Sequence, residues 1–429
     1  MSAKITQLSN GVEGVFIKNN RFNTTLISFN FYVPLKKETV ADNALLPFIM
    51  TSSSKAYPDF SALNFKLAKL YGANLSASAE KVGDYQLLKI AISVIDDRFS
   101  LDNESLCDSA VELLTQLIFE PKVENGAFCE EDVQREKRKA IEHIRGDLAQ
   151  KRTYAKKRLI EEMYKGEAYG LPKCGNEEQV NAITGESLYT AWKKLLSTAF
   201  LRVNVISRTI PQGLFDKISQ KFDAIERCNI PDCTKSTPTA AIQKPNTVVE
   251  KMDIAQGKLC MGFSSELYGD DQSTAALTVM CDIFGGGPYS RLFTNVREKM
   301  SLCYYCASGS VKSKGLITVD SGVEKENANK AEREILNQLD IIKQNLFTDE
   351  EFESSIKSIT DSFKSYNDSQ GLLDAWYSLK IVKDRLLSPE DAAELILNVT
   401  RNDVVYAARG VKLHTVYKLL PEDKEGENV

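Results

Sequence analysis

The sequence predicts an α+β protein of two similar halves, in each of which helices cover a mainly antiparallel sheet. With 429 residues, the chain exceeds the usual size of one hydrophobic core, so two domains are the default expectation. One order of elements also occurs twice along the chain: strand, helix, turn, helix, strand meander and helix pair. A segment rich in Pro, Thr and Ser, without apolar periodicity, separates the two copies. We therefore predict halves at 1–230 and 247–429 and a linker at 231–246.

The first half opens with two strand-like stretches, 14–18 and 26–33, which we interpret as a hairpin around a polar turn. A helix follows between Thr39 and Ser52, with apolar residues at helical spacing and Pro47 inside it. The other elements predicted for this half are helices at 62–70, 105–119, 130–149, 154–163, 185–195 and 214–225, two strands between 73 and 95, and a strand at 201–207.

The second half repeats this order around a glycine-rich turn. Apolar periodicity and turn residues predict two strands that follow the turn and its helix, and a strand at the end of the chain. The predicted elements are a strand at 257–263, helices at 273–284, 290–300, 328–345, 348–365, 372–385 and 389–399, two strands through 319, and a final strand at 415–419.

Composition and charge argue against two classes of partner. The 54 basic and 59 acidic residues are spread along the chain and leave no basic face for a nucleic acid backbone. The longest apolar runs, such as 44–50, fall far short of the roughly 20 residues that span a bilayer. We expect a soluble globular protein that binds neither nucleic acid nor a membrane.

The cysteines and the first residues indicate the cytoplasm. Nine cysteines scattered over a long chain are not the dense, even framework of a small secreted domain. The first residues lack the basic and apolar segments of a signal peptide. Cys303 and Cys306 form a single C-x-x-C without a second pair at zinc-site spacing, in a strand-like setting. We interpret that pair as structural, with a redox or metal role as the alternative.

The most distinctive stretch is GGGPYSRLFTNVREKMSLCYY, at 285–305. Its three glycines, Gly285, Gly286 and Gly287, predict a flexible turn between helices, because no Gly-Lys-Ser/Thr follows as in a phosphate-binding loop. Ser290 is placed to cap the next helix. That helix carries Arg297, and Tyr304 stands seven residues later in a strand-like run, so the two side chains have the chance to converge.

Arg297 and Tyr304 allow two interpretations. A guanidinium and a phenol are strong donors that stabilise negative charge on a tetrahedral intermediate without holding a metal. Alternatively, Arg297 pairs with an acid such as Glu298 or Asp282, and Tyr304 is an ordinary aromatic residue of a strand. On these residues alone we favour the second interpretation.

The 285–305 stretch resembles the second-half signature of the pitrilysin and insulinase-type zinc peptidases, especially the branch with mitochondrial processing peptidase. The two-half layout extends the resemblance over nearly the whole chain. It implies two α+β halves that close as a clamshell over an unfolded peptide. It also implies that Arg297 and Tyr304 form a clamp that contacts the substrate backbone and the developing oxyanion, and with this resemblance we favour the clamp.

The metal-binding motif of that family is missing. Active members carry His-x-x-Glu-His on a first-half helix, with a third ligand on a later charged helix. Matching the helix ends places Ala44 and Phe48 at the two histidines, Pro47 at the glutamate, and His143 at the third ligand. The chain contains only one other histidine, His414, and we expect both to be solvated or capping residues. The resemblance therefore implies no cofactor in this chain and a zinc ion in a partner subunit.

These observations predict the non-metal-binding subunit of a heterodimeric zinc endopeptidase, similar to the bacterial two-subunit branch. A similar subunit with His-x-x-Glu-His would be its partner, and an unfolded peptide its substrate. Alone, the chain would be inert and either a monomer or a homodimer. The alternative is a non-catalytic peptide-binding or structural assembly protein of the same fold.

Overall fold

The computed structural model describes residues 3–235, 237–380 and 386–422. The strands are β1 Ala3–Ser9, β2 Val12–Lys18, β3 Thr24–Pro34, β4 Asn74–Val82, β5 Tyr85–Ile95, β6 Val123–Glu124, β7 Ala127–Phe128, β8 Phe200–Ser207, β9 Asn246–Met252, β10 Gly257–Ser264, β11 Cys303–Val311, β12 Leu316–Val323 and β13 Lys412–Pro421. The helices are α1 Val40–Met50, α2 Phe60–Lys69, α3 Leu106–Phe119, α4 Glu130–Ala149, α5 Lys151–Met163, α6 Glu177–Ala182, α7 Gly185–Thr198, α8 Leu214–Asp223, α9 Asp271–Gly285, α10 Ala328–Lys343, α11 Asp349–Ser365, α12 Gln370–Ser378, α13 Pro389–Leu397 and α14 Arg401–Arg409. A π-helix spans Leu292–Lys299.

The chain forms two compact units that interleave in sequence. Unit 1 comprises Met1–Arg145, Leu171–Lys235 and Tyr366–Ser388, and unit 2 comprises Gly146–Gly170, Ser236–Ser365 and Pro389–Val429, so far as these ranges are described. The predicted halves are contiguous, whereas each unit here also includes a short segment from the other half. The chain leaves unit 1 and enters the longest segment of unit 2 between residues 235 and 236, inside the predicted linker.

Unit 1 is built on a six-stranded sheet in the order β1-β2-β8-β3-β5-β4, in which only the pair of β2 and β8 is parallel. Successive side chains along β3 point alternately to the two faces of the sheet. Ile27, Phe29 and Phe31 join the main hydrophobic core, which also contains apolar residues of α1, α3 and α7. This arrangement confirms a mainly antiparallel sheet covered by helices.

The predicted hairpin between 14–18 and 26–33 is wrong. These stretches are strands β2 and β3, but β8 lies between them and pairs with both. A hairpin interpretation assumes that strands adjacent in sequence pair directly. Here a strand almost two hundred residues later takes that place, and local sequence patterns carry no signal for it.

The second face of the unit 1 sheet is covered by α12. Ser28 Oγ and Asn204 Nδ2 donate to Asp374 Oδ1 at 2.6 and 2.9 Å, and Lys89 Nζ lies 2.6 Å from Asp374 Oδ2. Asp374 is 3% exposed. A buried carboxylate is stable only when it is paired and hydrogen-bonded, and this network satisfies it.

Unit 2 contains a five-stranded sheet in the order β11-β12-β10-β13-β9, in which only β13 and β9 are parallel. Alternation along β10 again separates two faces. Leu259, Met261 and Phe263 join the core that also contains residues of α9 and α10. Cys260 faces the opposite side and packs against α5. Gly262 lies on that side too, where a Cβ would come 2.6 Å from the Met163 sulfur, so α5 packs closely over this position.

Most predicted elements are present, and the differences concern ends and short elements. The prediction did not include strands β1 and β9 or helices α6 and α14, and α2 begins earlier than predicted. Short or edge elements bury little apolar surface and therefore show weak periodicity. The predicted helix at 372–385 corresponds to α12, which ends at Ser378; its predicted residues 381–385 lie outside the described part of the chain. The expectation for His414 is wrong: it lies in β13 and is buried, with Nδ1 2.8 Å from Thr415 Oγ1.

Candidate functional site

The positions that the resemblance assigns to the metal motif lie in unit 1 on α1 and α4. Ala44 and Pro47 are buried in α1, and Phe48 on the same helix is 36% exposed. His143 is an exposed residue of α4, as expected. The side chains of Ala44, Phe48 and His143 line one cavity of about 410 Å³, so the structure brings these sequence-predicted positions together.

The walls of this cavity do not fit a zinc ion. Apolar residues of α1 and of neighbouring elements form most of its lining. Glu136, 4% exposed, is held by Arg135 and Lys139 at 3.1 and 2.9 Å. Glu80 pairs with Lys173 at 2.8 Å. Within residues 3–235, 237–380 and 386–422, no group of three or more His, Cys, Asp or Glu side chains is placed to hold a metal. Zinc needs such a set, and the described lining of this cavity does not provide one.

The glycine-rich stretch of unit 2 is a site of close packing. Gly285 ends α9, and Gly286 follows it with φ of −83°. A Cβ at Gly285 would lie 2.6 Å from the backbone nitrogen of Ser308. A Cβ at Gly287 would lie 2.8 Å from the ring of Tyr289. Residues 286–290 form the predicted turn between α9 and the π-helix, and its glycines allow close approach of backbone and rings there.

The predicted capping role of Ser290 is wrong. Its hydroxyl is buried and has no hydrogen-bond partner among the described residues. The helix is instead anchored by Arg291, which sequence reasoning missed. Arg291 is 8% exposed and reaches Glu351 through Nη1 at 2.9 Å and Gln338 through Nε at 2.9 Å. A basic residue inside an apolar helical stretch was the available signal.

Three consecutive backbone irregularities position the segment that carries Arg297 and Tyr304. Leu292–Lys299 is a π-helix, and the Met300 amide donates to the Asn295 carbonyl at 3.1 Å. Ser301 then has φ of 51°, in the left-handed region. The register of β11 on β12 shifts between Cys303 and Tyr305, which leaves Tyr304 as an extra, bulged residue. Such features are uncommon and cluster at functional sites.

Arg297 is partly exposed and has weak partners. Its guanidinium lies 4.5 Å from the centre of the Phe293 ring, and Nε lies 3.5 Å from Glu298 Oε1. The side chain is 40% exposed, so the ion pair is screened by water. Of the two acids considered in the sequence, Asp282 instead accepts from the Tyr289 hydroxyl at 2.6 Å.

Tyr304 points outward from the bulge and is 61% exposed. Its hydroxyl donates to Glu324 Oε1 at 3.0 Å. That hydrogen bond and the negative charge of Glu324 raise the pKa of Tyr304 above its ordinary value. Across the described ranges, no hydrogen bond joins Arg297 to Tyr304. Both are donors at the surface of unit 2, each with a partner of its own.

Comparison with known proteins identifies the family. Residues 182–359 match the family model described as the peptidase M16 inactive domain. The probable inactive metalloprotease YmfF of Bacillus subtilis is 30% identical over 410 residues, which cover 95% of this chain and 96% of that protein. The chain belongs to the M16 peptidase family. This confirms the resemblance to the pitrilysin and insulinase-type peptidases.

Other similar proteins are more distant in sequence, and two of them are solved structures with the same fold. An uncharacterized zinc protease of Rickettsia felis is 21% identical over 312 residues, covering 71% of this chain and 72% of its own. The crystal structure of a conserved protein from Enterococcus faecalis is 26% identical, with a TM-score of 0.90 over 98% of this chain and 99% of that one. The peptidase M16 inactive domain from Pseudomonas fluorescens is 16% identical, with a TM-score of 0.78 over 99% of both chains, and shows the same fold.

Within the described part of this M16 chain, no helix is both long and apolar enough to cross a membrane.

Proposed function

We propose that this M16 chain is the non-metal-binding subunit of a two-chain zinc endopeptidase, and that it supplies Arg297 and Tyr304 to the active site of its partner. One contrast carries the proposal. The positions of the metal motif in unit 1 are apolar, with Ala44 and Phe48 on the cavity wall. In unit 2, a guanidinium and a phenol remain at exposed positions. Both are strong donors that stabilise negative charge without binding a metal.

The chain alone is then inactive, and the partner brings the metal and the general base on a His-x-x-Glu-His helix. The name of the Bacillus subtilis relative, a probable inactive metalloprotease, supports this division. The substrate class we propose is an unfolded peptide, which this chain would help to position. We place this chain and its proposed partner in the cytoplasm because the nine cysteines of this chain are free thiols.

The backbone around the two donors supports a functional role for them. A π-helix, a left-handed Ser301 and a bulge at Tyr304 occur within thirteen residues, at 292–304. Each costs energy relative to regular structure, and such costs persist where a side chain must point in a particular direction.

A second candidate is a non-catalytic peptide-binding or structural assembly protein of the same fold. The observation that favours it is the engagement of both donors within the chain. Tyr304 is hydrogen-bonded to Glu324, and Arg297 lies against Phe293 and Glu298. In that case these contacts are the final state of the side chains and no substrate displaces them.

The test combines this chain with an M16 chain that carries His-x-x-Glu-His, encoded in the same genome, and measures cleavage of quenched fluorescent peptides without fixed structure. We expect cleavage by the mixture and none by this chain alone. Arg297→Ala and Tyr304→Phe should each lower kcat/KM by about 10²-fold, the loss typical of one oxyanion donor. The complex should still assemble, as seen by size-exclusion chromatography, which also shows whether the isolated chain is a monomer or a homodimer.

Matched variants in unit 2 control for nonspecific effects. Tyr406→Phe removes another exposed phenol, 68% exposed on α14, and Arg333→Ala removes an exposed guanidinium on α10. Both should leave turnover within twofold of wild type. Unchanged turnover in Arg297→Ala and Tyr304→Phe, with the complex intact, would exclude the supply of donors and favour the second candidate. Stoichiometric zinc on the isolated chain would contradict the loss of the site in unit 1.

A further inference from the structure

Cys303 and Cys306 face the same side of the unit 2 sheet because of the bulge at Tyr304. In a regular strand, residues three apart point to opposite faces. Here Cys303 pairs with Val323 and Cys306 with Ser321, two positions apart on β12, so the extra residue restores a common face. Both cysteines accordingly belong to, or pack against, the same hydrophobic cluster.

The two thiols differ in exposure and in acidity. Cys306 is 5% exposed, whereas Cys303 is partly exposed at the start of β11. A hydrogen bond from the Cys306 thiol lowers the pKa of Cys303. Burial raises that pKa, whereas a hydrogen bond with Ser321 and the positive charge of Arg297 lower it further. The contact with Cys303 and burial raise the pKa of Cys306 well above its ordinary value. One reachable thiol that ionises early beside a buried one is typical of an attacking and a resolving cysteine.

Two other cysteines of unit 2 are buried and have raised pKa values. Cys281, buried in α9 of the same unit, has a pKa raised by burial to about 11. Cys260, on the opposite face of the sheet, has a pKa raised by burial to about 12. Such thiols are poor nucleophiles at neutral pH, because only the thiolate attacks a disulfide.

We propose that Cys303 and Cys306 are a reversible dithiol site that is oxidised to an intrachain disulfide by small disulfide molecules. The Cys303 thiolate attacks one sulfur of the small disulfide, whose S–S bond breaks and releases one thiolate. Cys306 then passes its proton to that thiolate and attacks the Cys303 sulfur, which breaks the mixed disulfide and releases the second thiolate, protonated from solvent. Two cysteine thiols are thus oxidised, and one small disulfide is reduced to two small thiols.

The bond spans Tyr304. A disulfide requires its two Cβ atoms to lie about 3.8 Å apart, so its formation tightens the loop of backbone that holds the bulged residue. Tyr304 and its hydrogen bond to Glu324 then shift. The dithiol site itself does not depend on the proposed peptidase role, since it is defined by residues of this chain alone.

The test uses the full chain, reduced and then equilibrated with mixtures of reduced and oxidised glutathione. Free thiols are then alkylated, and mass spectrometry measures the mass of tryptic peptide 300–312, which contains both cysteines. We expect this peptide to lose the mass of two hydrogens and to resist alkylation as the oxidised fraction rises. Addition of dithiothreitol should restore two alkylated cysteines.

Three single variants resolve the order of events. Cys306→Ser should stop at one glutathione bound to Cys303, and Cys303→Ser should form no intrapeptide bond. Cys228→Ser removes an exposed thiol elsewhere and should leave the disulfide unchanged. The proposal is overturned if peptide 300–312 of the wild type keeps both thiols in mixtures that attach glutathione to Cys228. Because the readout is a peptide mass, this result is independent of any peptide cleavage.

Discussion

The hydroxyl of Tyr304 lies 3.0 Å from Glu324 Oε1, so a bulged residue of β11 is tied to the residue that follows β12. Both groups are exposed. The contact holds the phenol in one direction and, through the negative charge of Glu324, keeps it protonated to a higher pH. A phenol that stays protonated remains a hydrogen-bond donor, as the proposed function requires.

Replacing Glu324 by Gln should lower the pKa of Tyr304 towards its ordinary value of about 10, because the amide keeps an acceptor but carries no charge. The pKa is measured by ¹⁹F NMR with 3-fluorotyrosine placed at 304, in wild type and variant. Glu326→Gln, in the same turn, is the control and should leave the titration where it is. An equal midpoint in Glu324→Gln and wild type would show that the carboxylate does not act on the phenol.

Gly285→Ala should destabilise the protein by about 1–3 kcal/mol, because its Cβ would meet the Ser308 backbone nitrogen at 2.6 Å. Gly146→Ala is the matched control. That residue lies in α4 with nothing within 4 Å of a Cβ, so alanine should stabilise by up to about 1 kcal/mol. Urea unfolding measures both free energies. A Gly285→Ala variant as stable as wild type would refute the close-packing account.

Burial lowers the pKa of His414, so its charged form is disfavoured in the folded state. The unfolded chain takes up the proton first, at an ordinary pKa of about 6.5. Stability is therefore fully present above that pH and is lost as the pH falls through the lowered folded pKa. The melting temperature of wild type should fall more steeply between pH 8 and 5 than that of His414→Gln. His143→Gln, at an exposed residue, should keep the wild-type slope, and equal slopes in all three would contradict the prediction.

Asp374→Ala should cost about 3–5 kcal/mol of unfolding free energy, because it leaves Lys89 without its buried partner. Asp368→Ala, in the same segment, removes an ion pair with Arg21 whose side chains are 63% and 72% exposed. That change should cost less than about 1 kcal/mol. Chemical denaturation gives both values. Similar small losses would show that α12 is not bound to the unit 1 sheet through Asp374.

Ala44→His together with Phe48→His should create a zinc site with His143. The two new imidazoles stand one helical turn apart and face the cavity that His143 lines, and three nitrogen ligands with water suffice for zinc. Metal content after dialysis should approach one zinc per chain in the double variant and fall to the wild-type level when His143→Ala is added. Equal zinc with and without His143 would place the metal elsewhere.

Much of the fold and part of the site could be predicted from local patterns. The alternation of Ile27, Phe29 and Phe31 identifies a strand with one apolar face, and the polar residues between them are buried as well. That second buried face was not predictable, because its cover, α12, comes from a distant part of the chain. The π-helix was missed for a different reason: the spacing of Leu292 and Val296 fits a regular α-helix equally well.

The amino-acid sequence by itself determined that the two positions assigned to metal-binding histidines cannot act as ligands. The side chains of Ala44 and Phe48 carry no lone pair that can bind a metal, whatever the fold around them. It also determined most helices and strands, since periodicity is a local property. Only the tertiary structure decided that β8 separates β2 from β3, that Gly285 serves close packing, and that a bulge turns Cys303 and Cys306 to one face. These depend on pairing between residues far apart in sequence, and one sequence does not reveal which distant partner each strand selects.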